Sequence, residues 1–141
     1  MPLQDPQKTW DEYLERKKAE RVREAAVLDL SMRSAGVTHE TALALDFVHF
    51  GSSRPNVEAL AEQLSENYTI EVVPTADQDA WLARGTTRPY GINLSQEQHL
   101  AWVGFMADVA RSYACVFSTW SIEAPSLRLS FSSEHVGKVL L

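Results

Sequence analysis

The residues that come closest to a chemical site are His49 and the loop that follows it. His49 lies within an apolar run that is followed by a glycine and then by Ser52, Ser53 and Arg54, where a helix is predicted to begin. A histidine in a pocket can act as a general base. The free amides of a helix N-terminus, helped by an arginine, can hold an anion. His49, Ser52, Ser53 and Arg54 are therefore the candidate residues of a ligand-binding loop.

The same loop also has a purely structural interpretation. Gly51 permits a tight exit from a strand, Ser53 suits an N-cap, and Pro55 suits a first helical turn, where the amides have no intrahelical partner. A phosphate-binding loop usually contains more than one glycine. His49 alternates with Leu45 and Phe47, which favours a hydrogen-bonded histidine at a strand edge. The loop is predicted to be an ordinary strand-to-helix turn.

No other residues have the spacing of a catalytic or metal site. The four histidines, at positions 39, 49, 99 and 135, show no His-x-His or His-x-x-x-His pattern. His99 is expected to be exposed in the first turn of a helix. Cys115 begins an apolar strand, which favours a buried small residue over a nucleophile. The sequence lacks a Gly-x-Ser-x-Gly elbow, a Walker loop and a Gly-x-Gly-x-x-Gly fingerprint. We therefore expect no cofactor, no metal and no enzymatic activity.

The charge pattern argues against direct binding to nucleic acid. The net charge is −6, and residues 41–141 hold 11 acidic and 6 basic residues. The one basic cluster, Arg16-Lys17-Lys18 with Arg21 and Arg23, is interleaved with four glutamates, at positions 12, 15, 20 and 24. Carboxylates three or four positions from cations on a helix pair with them first. A solvated, ion-paired helix face is therefore favoured over an RNA-binding stripe. No secretory signal and no apolar run of about 20 residues are visible, so we expect a cytoplasmic protein without membrane contact.

Hydrophobic periodicity predicts helices and strands in a clear order. A charged helix runs from the capping box at Thr9 and Glu12 to Gly36, where a left-handed residue ends it. The predicted strands cover residues 43–50, 69–73, 90–94, 115–122 and 127–131. The predicted crossover helices cover about residues 53–67 and 95–113, and a short helix is expected over residues 76–84.

This order is typical of an α+β fold. Two strand–helix–strand units in series favour a ferredoxin-like split βαβ sandwich, with an added N-terminal helix and an extra C-terminal strand. A doubly wound parallel sheet is the alternative, and two crossover helices suit it less well. The predicted organisation is a charged helix partly packed on the domain (residues 1–36), the sandwich domain (residues 37–131) and a loosely held tail (residues 132–141).

Aromatic residues suggest a protein-binding surface. Trp120 alternates with Ser118 and Ile122, so one sheet face could carry an exposed aromatic, and exposed aromatics often anchor interfaces. The candidate surface consists of two aromatic and three acidic residues: Trp120, Phe117, Glu123, Asp46 and Glu71.

The chain resembles the regulator of ribonuclease activity B family, also called RraB. The matching features are a helix ending near residues 32–36 and the segments LALDFVHF, SRPNVEALAEQL, TIEVV, GINL and VFSTWSIE. Trp120 stands where this family tends to carry a tryptophan, and the similarity spans about residues 25–124. The resemblance implies a bacterial, ferredoxin-like, non-catalytic protein that binds ribonuclease E and restrains RNA turnover.

Two other functions remain open from the sequence. Small acidic α/β chains suit electrostatic capture of a basic active site, so an immunity protein that neutralises a basic nuclease toxin is one alternative. A small-ligand enzyme or sensor that uses His49 and the loop at 51–56 is the other. The sequence also leaves a homodimer open.

Overall fold

The computed structural model describes residues 5–140, and it has a mixed α+β architecture. The elements in chain order are α1 (Pro6–Ser34), β1 (Ala44–Gly51), α2 (Arg54–Leu64), β2 (Thr69–Pro74), β3 (Trp81–Thr86), α3 (Gln96–Ser112), β4 (Val116–Ala124), a 3-10 turn (Pro125–Leu127), β5 (Leu129–Ser132) and α4 (Ser133–Leu140). The prediction of an α+β fold with an N-terminal helix and an extra C-terminal strand is confirmed.

One five-stranded antiparallel sheet forms the centre of the molecule. The strands lie in the order β2-β3-β1-β4-β5, and all neighbouring pairs are antiparallel. Strand β1 is central, because β3 pairs with one side of it and β4 with the other. The parallel sheet considered as an alternative is therefore excluded.

Residues alternate along β1 between the core and the opposite face of the sheet. Leu45, Phe47 and His49 are buried, whereas Asp46 is only half-buried and Phe50 is exposed. The buried set packs with apolar side chains of α1, α2 and α3, including Met32, Leu60 and Met106 in one cluster. The helices therefore cover the face that carries Phe47.

The third strand lies nine residues earlier than predicted. Residues 90–94 do not form a strand, since only Ile92 makes an isolated bridge, to Leu43. The expected helix over residues 76–84 is also wrong, because Trp81–Thr86 pairs with both β1 and β2. Gly85 weakens any strand signal in the sequence, but a Cβ atom there would lie 2.3 Å from the Phe47 ring. Packing against Phe47 therefore requires a residue of low strand propensity.

The ends of the chain are more helical than expected. Helix α1 begins at Pro6 rather than Thr9, because the Asp5 carboxylate accepts a hydrogen bond from the Gln7 amide at 3.0 Å. It ends as predicted, with Gly36 at φ +104°. The segment predicted as a loose tail forms α4, and its Ser133 hydroxyl accepts a hydrogen bond from the Trp120 amide at 3.0 Å. None of the helices within residues 5–140 is long and apolar enough to cross a membrane.

Candidate functional site

His49 lies in the core and has no hydrogen-bond partner. It is fully buried on the central strand, and neither ring nitrogen has a partner among the described residues. The Phe47 and Phe117 rings lie 5.7 and 5.0 Å from it, centroid to centroid. Burial lowers the pKa of His49 to about 3. The prediction of a hydrogen-bonded histidine at a strand edge is therefore wrong, and His49 cannot reach a ligand at the surface.

The other residues of the candidate loop have structural partners. The Ser53 hydroxyl caps α2 by accepting from the Asn56 amide at 3.4 Å. The Arg54 Nε atom donates to a Glu58 carboxylate oxygen at 2.7 Å, and its guanidinium lies 4.8 Å from the Trp81 ring centroid. Pro55 stands in the first turn, as predicted. The turn interpretation of residues 51–56 is confirmed at Ser53, and Ser52 belongs to a different surface, described below.

His99 is buried in a hydrogen-bonded network that the sequence did not reveal. Its Nδ1 atom lies 3.0 Å from an Asp29 carboxylate oxygen, and its Nε2 atom accepts from the Trp120 indole at 3.2 Å. Arg33 completes the network, with two nitrogens 3.1 Å from the Asp29 oxygens and a bond to the Leu94 carbonyl at 2.6 Å. Burial lowers the pKa of His99, although the hydrogen bond to Asp29 opposes that shift. We call these residues the Asp29–His99–Trp120–Arg33 network.

The network connects α1, α3 and β4 through buried hydrogen bonds. Both nitrogens of His99 are already engaged, so the ring cannot take a proton from a substrate without breaking a bond. Asp29 lies on α1, His99 on α3 and Trp120 on β4. The prediction of an exposed His99 is wrong because the first turn of α3 packs against α1.

Trp120 and Phe117 do not form the exposed surface predicted for them. Each is 2% exposed, and their rings stack on one another, with centroids 5.4 Å apart. The β1–β4 register shifts between Val48 and His49. This irregularity breaks strict alternation, so Phe117 and Trp120 both point towards the helices although they are three positions apart. Strict alternation along the sequence therefore does not predict which side chains of β4 face the helices.

The three acidic residues of the predicted surface form ion pairs with arginines. Arg88 bridges Asp46 and Glu123, at 3.2 and 2.8 Å, and these hydrogen bonds raise the pKa of Arg88. Glu71 lies 3.6 Å from Arg84 on the neighbouring strand. Asp46 and Glu123 are thus brought together, while Glu71 lies two strands away from Asp46 in the sheet order.

An open groove lies between the N-terminal half of α1 and the ends of β1 and β4. It has a volume of about 950 Å³. The helix contributes a stripe at helical spacing, the sheet contributes three residues beside it, and the loop after β1 contributes one. The lining residues are Pro6, Thr9, Trp10, Tyr13, Arg16, Lys17, Arg21, Phe50, Ser52, Val116 and Ser118. We call this cavity the α1 groove.

Aromatic rings form the apolar part of the α1 groove. Trp10 and Tyr13 stack with centroids 5.5 Å apart and planes 21° from parallel. Phe50 faces them from the sheet and is 41% exposed. Phe50 and Val116 are register partners across β1 and β4. Partly exposed aromatic rings around a concave surface are typical of protein-binding sites.

Ion pairs along α1 bear out part of the charge prediction. Lys17 pairs with Glu20 and Arg21 with Glu24 on the same helix, and Lys18 reaches Asp108 on α3 at 3.0 Å. Most of the basic cluster is therefore paired. The sequence prediction missed that one side of this helix lines a groove, although Trp10, Tyr13 and Lys17 already share a helix face by spacing.

Other chemical sites find no support. No group of three or more His, Cys, Asp or Glu side chains within residues 5–140 is arranged to hold a metal ion. Burial raises the pKa of Cys115 to about 11, which disfavours the thiolate.

No protein-family model matches the sequence, and no curated protein is similar enough to match it.

Proposed function

We propose that this protein is a non-catalytic regulator that binds a segment of a partner protein in the α1 groove. The observation that carries the proposal is the groove itself, with the half-buried rings of Trp10 and Tyr13 on one wall and the exposed ring of Phe50 on the other. Amphipathic grooves of this kind commonly receive a peptide segment of another protein. The histidines support the same choice, since His49 has no access to solvent and both ring nitrogens of His99 are engaged.

The resemblance to the RraB family suggests the partner. We propose that the partner is ribonuclease E and that binding restrains RNA turnover in the cytoplasm. We also propose that residues 44–124 form a ferredoxin-like sandwich. Two features support that proposal: the element order β1-α2-β2-β3-α3-β4, and the sheet order β2-β3-β1-β4. In such an arrangement α1 is an addition to the sandwich, and the groove belongs to this addition.

A binding and cleavage assay tests the partner. Purified protein is titrated into fluorescently labelled ribonuclease E, and cleavage of a substrate RNA is followed in parallel. We expect saturable binding and slower cleavage. If ribonuclease E neither binds nor is slowed, the partner assignment is wrong.

Two variants test the groove in the same assay. Trp10→Ala removes an aromatic wall and is expected to weaken binding at least tenfold, which is typical of an aromatic interface anchor. Phe105→Ala is the matched control, because Phe105 is an exposed aromatic on α3 that does not line the groove. Equal losses for the two variants would place the binding surface elsewhere.

A further inference from the structure

The α1 groove is basic, although the chain as a whole is acidic. Three charged side chains line it, Arg16, Lys17 and Arg21, and no carboxylate of the described residues is among the lining. The net charge of the chain is −6. The groove is therefore a local region of positive charge on a negatively charged protein.

The three cations differ in how available they are. Arg21 is fixed in place, since its Nε atom donates to the Phe117 carbonyl at 3.1 Å and its side chain is 17% exposed. Lys17 makes a partly exposed pair with Glu20 at 3.3 Å, and such pairs are weak; its Nζ atom also lies 5.6 Å from the Tyr13 ring centroid, inside the groove. Arg16 is exposed and forms no ion pair with any residue in the described range 5–140. Arg16 and Lys17 can therefore pair with an incoming anion.

The apolar residues of the groove restrict the kind of anion. Trp10, Tyr13 and Phe50 offer apolar area that a small inorganic anion would leave exposed. An occupant that fits both features carries negative charge and apolar side chains in one segment. From Pro6 to Arg21 the helix rises about 22 Å, which corresponds to roughly seven residues of extended chain.

A nucleic acid fits less well than an acidic peptide. Single-stranded nucleic acid places a phosphate at each nucleotide, and tight binding needs a series of cations along its path. The groove offers only two readily available cations, and the rest of the chain repels a polyanion. A peptide with a few carboxylates needs only those two cations and can fill the apolar wall.

We infer that the α1 groove binds a short acidic segment of the partner that carries aromatic or aliphatic anchors. This inference rests on the proposed function of the groove as a docking site and adds the chemistry of the segment. The carboxylates of the segment pair with Arg16 and Lys17, and its apolar side chains pack between Trp10, Tyr13 and Phe50.

Three matched peptides test this chemistry. Each is a fluorescein-labelled 12-residue peptide with Leu and Trp at the same positions, and the remaining positions are all Glu, all Gln or all Lys. Binding is measured by fluorescence anisotropy at low and high salt. We expect the Glu peptide to bind at least tenfold more tightly than the Gln peptide at low salt, and to lose most of that advantage at high salt.

Charge-reversal variants test whether the Glu peptide binds in the α1 groove. Arg16→Glu is expected to weaken binding of the Glu peptide about tenfold, whereas Arg23→Glu, an exposed change on the same helix outside the groove, is expected to change it less than twofold. Thermal unfolding of both variants shows that the fold is retained.

Each contrary outcome contradicts either the acidic chemistry of the segment or the docking function of the groove. If the Glu and Gln peptides bind equally tightly and Trp10→Ala weakens both, the inference that the segment is acidic is wrong, but the proposed docking function still holds. Arg16-dependent binding of a poly-U RNA that exceeds binding of the Glu peptide overturns both. Binding of none of the peptides overturns this inference, and the ribonuclease E assay then decides the proposed function separately.

Discussion

The two halves of α1 belong to one continuous helix but lie in different surroundings. In the C-terminal half, Ala25, Leu28 and Met32 are buried, and Asp29 takes part in the Asp29–His99–Trp120–Arg33 network. In the N-terminal half, only Leu14 among residues 6–21 is buried, and Trp10 and Tyr13 line the groove. The C-terminal half therefore fixes the helix to the domain through buried contacts. The N-terminal half is joined to α3 by partly exposed ion pairs, and it presents its other side chains at an open surface.

The difference separates stability from binding along a single element. Substitutions in the buried half remove packing or hydrogen bonds and should lower the free energy of unfolding. Substitutions in the groove half should leave the fold intact and change affinity. The predictions that follow test this division, and they run from the largest expected effect to the smallest.

Asp29→Ala should have the largest effect. It leaves the His99 Nδ1 atom and the Arg33 guanidinium without their shared partner. Removing one member of a buried ion pair lowers the free energy of unfolding by about 3–5 kcal/mol. Denaturant unfolding measures this loss. Asp108→Ala is the control, because its pair with Lys18 is exposed and should contribute less than about 1 kcal/mol; equal effects would contradict a structural role for the network.

Trp120→Phe should lower the free energy of unfolding by about 2–3 kcal/mol. The substitution removes the indole donor and leaves the His99 Nε2 atom buried without a partner, and it also opens a small cavity. Chemical denaturation followed by circular dichroism measures the change. An unchanged midpoint would show that the indole bond contributes nothing.

His49→Leu should raise the free energy of unfolding by about 1 kcal/mol at pH 7, because it removes two buried polar atoms that have no partner. His49 is the opposite case to His99, because it is buried but makes no hydrogen bond to another residue of the range 5–140. Thermal or denaturant unfolding at neutral pH measures the gain. A loss of stability would mean that the imidazole makes a favourable contact.

The pH dependence of the same variant gives a second test. The pKa of His49 is about 3 in the folded protein, whereas an unburied histidine has a pKa of 6.5. As the pH falls below about 6.5, the unfolded chain binds a proton that the folded protein does not bind, so stability decreases. The difference between wild type and His49→Leu should therefore grow by up to about 1.4 kcal/mol per pH unit between pH 6.5 and 3. Parallel pH profiles would contradict the buried, neutral state of His49.

Trp10→Ala should have the smallest effect on stability, less than about 1 kcal/mol, because Trp10 is only half-buried. Its effect on partner binding should nevertheless be large. Denaturant unfolding of this variant, beside that of Asp29→Ala, measures the contrast between the two halves of α1. A loss above 3 kcal/mol would show that the N-terminal half is also structural.

Local sequence signals predicted α2, α3 and the end of α1, whereas the start of α1 and helix α4 were not predicted. The cap at Ser53 and the stop at Gly36 each depend on a residue within a few positions of the helix end. Such signals act over short range, so the sequence carries them in full. The alternating pattern of β1 and β2 was equally direct.

Features that depend on distant residues were not predictable in the same way. The assignment of β3 depends on Phe47, which requires the bare backbone of Gly85. Phe117 lies on the same face as Trp120 only because of the register shift between β1 and β4. His99 and Asp29 are 70 positions apart, and no local spacing connects them. The groove likewise forms only when α1 lies beside the ends of β1 and β4.

Amide hydrogen exchange with and without bound ribonuclease E tests the central claim most directly. The account predicts added protection in residues 6–21 of α1 and in the adjoining ends of β1 and β4, with little change in residues 25–34. Protection confined to α2, to the outer side of α3 or to β2, with residues 6–21 unchanged, would contradict the assignment of the α1 groove as the binding surface.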